Sequence, residues 1–130
     1  MVDEVDASPA TTSGCTELGE AIVGLNGLPG RHLGWAQCRA LGATALDMCA
    51  VAGGQLDAFL DCSGDGLAPW DYLGALLVCQ EAGATVLSFD GRPLHDVTPP
   101  SRRPIVAAAS TALAEDLLER YRQVGPLPRL

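Results

Sequence analysis

Apolar runs alternate with turn residues along most of the chain, and their lengths predict strands and helices in alternation. Glu20 to Leu25 is typical of a short buried strand, and the turn pair Asn26-Gly27 closes it. Leu41 to Ala52 is apolar nearly all round, which predicts a buried helix that stops at Gly53-Gly54. Residues 55–61 alternate between apolar and other side chains and predict a second strand.

The second half of the chain continues this alternation. After a polar loop, Pro69 occupies a position typical of the start of a helix, and the predicted helix runs from about Trp70 to Glu81. Three further strands are predicted, over Thr85 to Phe89, Leu94 to Val97 and Ile105 to Ala109. A final helix is predicted to start near Ser110, because its apolar positions form one stripe: Leu113, Leu117, Leu118, Tyr121 and Val124. Strands alternating with helices predict an α/β layered sheet.

Length and composition predict one domain. Of the 130 residues, 48% are apolar, which is enough for a single core and too much for a disordered chain. Residues 1–16 are rich in Ser, Thr, Ala and Pro and predict a flexible leader. The domain itself is predicted over residues 17–125, with residues 126–130 as a tail.

The charge pattern excludes several classes of function. The net charge is −8 and every basic residue is an arginine, so we expect no nucleic-acid partner. Without lysine, Schiff-base chemistry and a P-loop are excluded. The longest apolar stretch, Tyr72 to Cys79, is too short to span a bilayer, and the acidic start is unlike a secretory signal. Both features predict a cytoplasmic protein with no membrane partner. Five cysteines without a Cys-x-x-Cys pair argue against a disulfide framework and against a structural zinc site.

Two segments are candidates for chemistry. Residues 61–71 link a strand to a helix and carry three carboxylates, Asp61, Asp65 and Asp71, whose hard oxygen atoms suit magnesium. The same pattern also fits an aspartate that caps the helix and an ordinary Asp-Gly turn. In Gly42-Ala43-Thr44, small residues at a helix start allow a phosphate or a sugar to approach backbone N–H groups. The alternative explanation, which the small residues alone favour, is a helix packed closely against its neighbour.

Four segments, in order along the chain, together resemble the inositol monophosphatase family. Trp70 to Ala84 is similar to the family's signature, in which Trp-Asp opens a helix that Glu-Ala-Gly-Gly closes. Arg39 to Asp47 is similar to its Arg-x-x-Gly-Ser-Ala-Ala segment, and Ala52 to Phe59 to its Ala-x-Gly-x-x-Asp-Ala-aromatic strand. Arg102 to Ala108 fits its last strand. The resemblance covers about residues 17–122 and corresponds to the C-terminal half of the family's fold.

The resemblance implies a mixed sheet flanked by helices and a magnesium-dependent hydrolysis of phosphate monoesters by a metal-activated water. Asp71 matches the family's metal-binding aspartate. Asp61 falls where the family has a carboxylate that touches substrate hydroxyls, and Gly42, Ala43 and Thr44 match the segment lining the sugar-ring pocket. The implied cofactor is Mg²⁺, and the implied ligand is a phosphorylated small molecule such as inositol monophosphate.

The family's other metal ligands have no counterpart in these 130 residues. The family carries them in a Glu-Glu segment and an Asp-Pro-Leu/Ile-Asp-Gly-Thr segment, and neither occurs here. Since two-metal hydrolysis needs both ions held together, we expect a truncated form that is inactive alone. The alternative is a non-catalytic binding or assembly module. In either case we expect a homo-oligomer or pairing with the missing N-terminal half, with residues 41–52 near the contact.

Overall fold

A computed structural model describes residues 10–95 and 102–128 of the chain. The strands are β1 (Ile22–Asn26), β2 (Gln37–Arg39), β3 (Ala58–Asp61), β4 (Thr85–Ser88) and β5 (Ile105–Ala108). The α-helices are α1 (Thr44–Ala52), α2 (Pro69–Glu81) and α3 (Thr111–Val124), and a short 3₁₀ helix (Leu18–Glu20) precedes β1. None of these helices is both long enough and apolar enough to cross a membrane.

The five strands form one mixed sheet in the order β2-β1-β3-β5-β4. β1 runs parallel to both of its neighbours, β2 and β3. β5 is antiparallel to β3 and to β4. The predicted mixed α/β sheet is therefore confirmed, and the two parallel neighbours β1 and β3 end at the same edge of the sheet.

Helices cover both faces of the sheet and divide the core in two. α1 and α2 pack on one face, against Phe59, Ile105 and Ala107. α3 and the 3₁₀ helix pack on the other face, against Ala58, Leu60 and other side chains of β1, β3 and β5. Consecutive β3 residues thus alternate between the two core layers, and all four are buried.

Most predicted elements are present, and their bounds differ by a few residues. The helix predicted from Leu41 begins at Thr44, because Gly42 has a φ of +76° that a right-handed helix excludes. The strand predicted over residues 55–61 is confined to β3. β2 is absent from the prediction, since its three residues are all exposed and show no apolar pattern. Leu94 and His95 form a turn and not a strand, and residues 96–97 of that predicted strand lie outside the described ranges.

The segments predicted as leader and tail pack against the domain where they are described. Within the leader, Thr12 donates a hydrogen bond to the carbonyl of Ala109 at 3.1 Å, and Ser110 donates one to the carbonyl of Cys15 at 2.8 Å. Within the tail, the N–H of Leu127 donates to the carbonyl of Leu28 at 2.8 Å. Residues within 10–16 and 126–128 thus have hydrogen-bond partners on the domain, and the division into leader, domain and tail stays a prediction.

Candidate functional site

A cleft of about 420 Å³ opens where β1 ends and where α1 and α2 begin. Parallel strands of an open α/β sheet commonly bind ligands at this edge. Its lining combines two helix starts, one strand end and three large apolar side chains: Asn26, Gly42, Ala43, Thr44, Ala45, Leu46, Leu67, Trp70 and Asp71. Of the five residues to which the resemblance assigns a role, the cleft brings together four: Gly42, Ala43, Thr44 and Asp71.

Asp71 lies in the first turn of α2 and contributes the carboxylate of the cleft. Pro69 opens this helix, where its missing N–H group costs nothing. The Oδ2 atom of Asp71 accepts a hydrogen bond from the N–H of Ala68 at 3.1 Å, which fixes the side chain against the helix start. No described residue donates to Oδ1. Asp71 therefore acts as a helix cap and still offers one carboxylate oxygen to the cleft.

The segment from Gly42 to Thr44 supplies backbone groups. A positive φ at Gly42 turns the chain into α1, and no side chain caps the first N–H groups of that helix. The first turn of α1 lines the cleft, so these N–H groups are available to an acceptor there. α1 also packs closely against α2, which is the alternative explanation that the sequence offered for these small residues.

Asp61 lies below the cleft and does not line it. It is the last residue of β3, and 1% of its surface is exposed. Its Oδ1 atom accepts hydrogen bonds from Nδ2 of Asn26 at 3.0 Å and from the N–H of Ser63 at 3.1 Å. Burial raises the pKa of the Asp61 carboxyl, whereas these hydrogen bonds lower it. Oδ2 is buried and has no partner in the described ranges.

Asn26 is a site residue that the sequence analysis assigned only to a turn. It ends β1, lies in register with Asp61 of β3, and lines the cleft with its half-buried side chain. The following Gly27 has a φ of +77°, and a Cβ atom there would approach the Cys62 carbonyl to 3.0 Å. The signal that identifies Asn26 is its position at the end of a parallel strand, at the same edge as Asp61.

The apolar rim of the cleft was also missed from sequence. Trp70 is 81% exposed and Leu46 is 71% exposed, and both line the cleft. Leu46 belongs to the helix predicted to be buried all round. Only its sheet-facing side is buried, because nothing in the described ranges covers the outer face of α1.

The described residues do not by themselves hold a divalent metal. Residues 10–95 and 102–128 contain no group of three His, Cys, Asp or Glu side chains placed to bind one ion. Asp71 offers oxygen, which suits Mg²⁺, but one carboxylate falls far short of an octahedral set of ligands. A metal at this cleft therefore requires further ligands from another polypeptide segment.

Comparison with known proteins gives a consistent match. The model of the inositol monophosphatase family matches residues 10–125. Inositol monophosphatase 1 of Sus scrofa is 36% identical over 91 residues, which cover 70% of this chain and 30% of that protein. Inositol-1-monophosphatase SuhB of Mycobacterium tuberculosis is 34% identical over 93 residues, covering 69% of this chain and 29% of its own length.

Solved structures show the same fold. An inositol monophosphatase from Anabaena superposes with a TM-score of 0.73 at 23% identity, over 94% of this chain and 51% of that one. A Pyrococcus horikoshii protein described as similar to inositol-1 monophosphatase gives a TM-score of 0.69 at 28% identity, over 85% and 45%. The chain thus spans about half of these solved chains and about three-tenths of the curated relatives.

Proposed function

Because the chain belongs to the inositol monophosphatase family, we propose that it provides one half of a magnesium-dependent phosphomonoesterase site. The observation that carries this proposal is the cleft in which the Asp71 carboxylate faces the backbone of residues 42–44. In this proposal Asp71 is one ligand of Mg²⁺. Gly42, Ala43 and Thr44 line the space for the ring of a phosphorylated small molecule such as inositol monophosphate, and Asp61 supports the binding of its hydroxyl groups.

The proposal assigns the remaining metal ligands to a complementary polypeptide half. The family's Glu-Glu and Asp-Pro-x-Asp-Gly-Thr segments are absent from the 130 residues, and Asp71 alone does not complete an ion site. We therefore expect no phosphatase turnover from the 130-residue chain by itself. The five free thiols support a cytoplasmic location as part of the proposal.

The outer face of α1 and α2 supports pairing with another polypeptide. On α2 the exposed positions are Trp70, Gly74, Leu77 and Val78, followed by the polar Gln80 and Glu81 in the last turn. On α1, Leu46 continues this apolar surface. The outward positions of α3 are instead mainly polar: Thr111, Ala112, Glu115, Glu119, Arg120, Arg122 and Gln123. A helix that is apolar on both sides is normally buried on both sides.

The pairing surface has a direct test in solution. We expect the 130-residue chain to form dimers or larger assemblies at low micromolar concentration, measured by sedimentation velocity. Leu77→Gln should increase the monomer fraction, because it removes apolar area from the α1/α2 face. Leu127→Gln is the matched control, since Leu127 is similarly exposed but lies in the C-terminal segment. A monomeric wild type that binds no hydrophobic dye contradicts the pairing proposal.

The catalytic proposal is tested by supplying the rest of a relative. The full 130-residue chain replaces the matching segment of M. tuberculosis SuhB, and phosphate release from myo-inositol 1-phosphate is measured with Mg²⁺. We expect activity from the fusion, none from the 130-residue chain, and none from the fusion with Asp71→Asn. Glu115→Gln on the outer face of α3 serves as the control. A folded fusion without activity supports the alternative, a non-catalytic assembly module.

A further inference from the structure

The ends of β1 and β3 form a two-residue polar unit at the cleft. Asn26 and Asp61 are the last in-register pair of these parallel strands, and the N–H of Cys62 donates to the Asn26 carbonyl at 2.7 Å. The Asn26 side chain bridges the two strands through its 3.0 Å hydrogen bond to Asp61. Both strand ends are thus fixed by backbone and side-chain hydrogen bonds.

The hydrogen bond sets the direction of the Asn26 carboxamide. An ionised carboxylate only accepts hydrogen bonds, so Asp61 holds the NH₂ group of Asn26 and turns its Oδ1 atom away. No residue in the described ranges donates to that Oδ1 atom, and Asn26 lines the cleft with Thr44 and Asp71. Asn26, whose NH₂ group Asp61 holds, is therefore an amide of fixed position in the wall of the cleft.

Asp61 itself is screened from the cleft. Its Oδ2 atom is inaccessible, and its Oδ1 atom is already engaged by Asn26 and Ser63. The Asp61 carboxylate is therefore buried and engaged, whereas the half-buried Asn26 lines the cleft. We infer that Asn26 is the group that contacts a ligand hydroxyl at this edge of the sheet, and that Asp61 is a positioning residue acting through it.

The charges around Asn26 favour the hydroxyl end of a ligand over its phosphate end. The exposed carboxylate of Asp65 is close enough to Asp61 to raise the pKa of that buried carboxyl by repulsion, and Asp71 lies across the cleft. In the absence of a metal ion these carboxylates repel a phosphate placed beside Asn26, whereas a hydroxyl can donate to the Asn26 oxygen. This inference rests on the proposed function, because it takes the ligand to be a phosphorylated polyol.

The test uses the side-chain NH₂ signals of Asn26 in nitrogen-15 NMR spectra of the full chain. Asn26 is the only asparagine, so its signal pair is readily assigned. The probes are myo-inositol 1-phosphate, myo-inositol and inorganic phosphate. We expect the Asn26 pair to shift with both inositol compounds and to stay in place with phosphate alone.

Variants then separate direct contact from positioning. Asn26→Ala should weaken binding of myo-inositol 1-phosphate about tenfold, the effect of one hydrogen bond, while Gln123→Ala on α3 leaves it unchanged. Asp61→Ala, which removes the acceptor for the Asn26 NH₂ group and adds no second asparagine, should weaken binding similarly and move the Asn26 signals without ligand. If Asp61 acts through Asn26, the double variant binds no more weakly than Asn26→Ala. The wild-type titration needs no variant and stands even where a substitution impairs folding.

Each contrary result has its own meaning. A further loss of affinity when Asp61→Ala is added to Asn26→Ala shows that Asp61 touches the ligand directly and overturns the inference. Wild-type binding without a shift of the Asn26 pair overturns it as well, while the proposed function stands. If the wild type binds neither inositol compound, the proposed binding role of this chain fails and the inference fails with it.

Discussion

Asp47 is a buried carboxylate that the proposed site does not use, and removing its charge should stabilise the protein. It lies on the inner side of α1, and only 1% of its surface is exposed. A Cβ atom at Gly24 of β1 would lie 3.5 Å from its Oδ2 atom, so the carboxyl packs against a bare stretch of strand. Its Oδ1 atom is buried and has no partner in the described ranges. Burial raises the pKa of this carboxyl above its ordinary value of 3.8.

The size of the effect follows from the unpaired oxygen. Leaving a buried polar group unsatisfied costs about 1–3 kcal/mol. Asp47→Asn keeps the shape and removes the charge, but its new NH₂ group is also unpaired and offsets part of the gain. We therefore expect a net increase of about 1 kcal/mol in the free energy of unfolding at neutral pH, or about 4 °C in Tm.

The pH dependence of this difference gives the sharper measurement. The folded-state pKa of Asp47 is raised, so the wild type is relatively most stable below the ordinary value of 3.8, where the carboxyl is protonated in both states. Wild-type stability then falls, relative to Asp47→Asn, as the pH rises through the folded-state pKa. Urea unfolding of both proteins between about pH 3 and pH 8 should show a gap that opens with pH and then becomes constant.

Glu115 provides the matched control for Asp47, because it is an acidic helix residue that is exposed. Glu115→Gln on the exposed face of α3 should change stability little at any pH, because surface substitutions have small effects. If Asp47→Asn instead destabilises the protein by about 1 kcal/mol or more at neutral pH, the carboxylate has a favourable partner in solution. The reasoning from an unpaired buried charge is then wrong.

Three other features test the packing around the sheet. Cys38 is exposed, whereas Cys62 is buried, and burial, with a smaller contribution from Asp61, raises the pKa of the Cys62 thiol to about 12. Mass spectrometry should therefore show that maleimide labels Cys38 quickly and labels Cys62 only in denaturant. Gly27→Ala should lower the free energy of unfolding by about 2 kcal/mol, because alanine is strained at the positive φ of this residue and its Cβ atom would crowd the Cys62 carbonyl. An unchanged urea midpoint would contradict this expected loss of stability. Tyr72→Phe removes the hydrogen bond from the Tyr72 hydroxyl to the Leu94 carbonyl and should cost about 1 kcal/mol in the same assay.

The elements that the sequence predicts well are those whose apolar pattern has a single explanation. The stripe of α3 identifies that helix because its outward positions are mainly polar, and Ser110 caps it by accepting from the N–H of Leu113 at 3.2 Å. α1 and α2 show the opposite case, since large apolar side chains such as Leu46, Trp70 and Leu77 are exposed on their outward faces. A pattern that is apolar all round predicts burial but does not reveal which molecule buries the second face.

The short edge strand β2 shows where periodicity carries too little information. Its three residues, Gln37 to Arg39, are exposed, and pairing with β1 defines the strand. The N–H of Ala36 and that of Gln37 both donate to the carbonyl of Ala21, so tertiary hydrogen bonds bring the segment to the edge of the sheet. Backbone hydrogen bonds to the neighbouring strand, and not the pattern of its own side chains, define such a strand.

The site illustrates what sequence position alone leaves undetermined. Asp71 and residues 42–44 lie at helix starts, and helix starts beside one another at a sheet edge share a cleft, so local signals were sufficient to predict that they come together. The relation between Asn26 and Asp61 spans 35 residues and exists only through the register of β1 on β3. A shift of one residue in that register would turn either side chain to the opposite face of the sheet. Resemblance assigns a role to Asp61 by its place in the chain, whereas the register pairs Asp61 with Asn26, which lines the cleft, so the inference above assigns the ligand contact to Asn26.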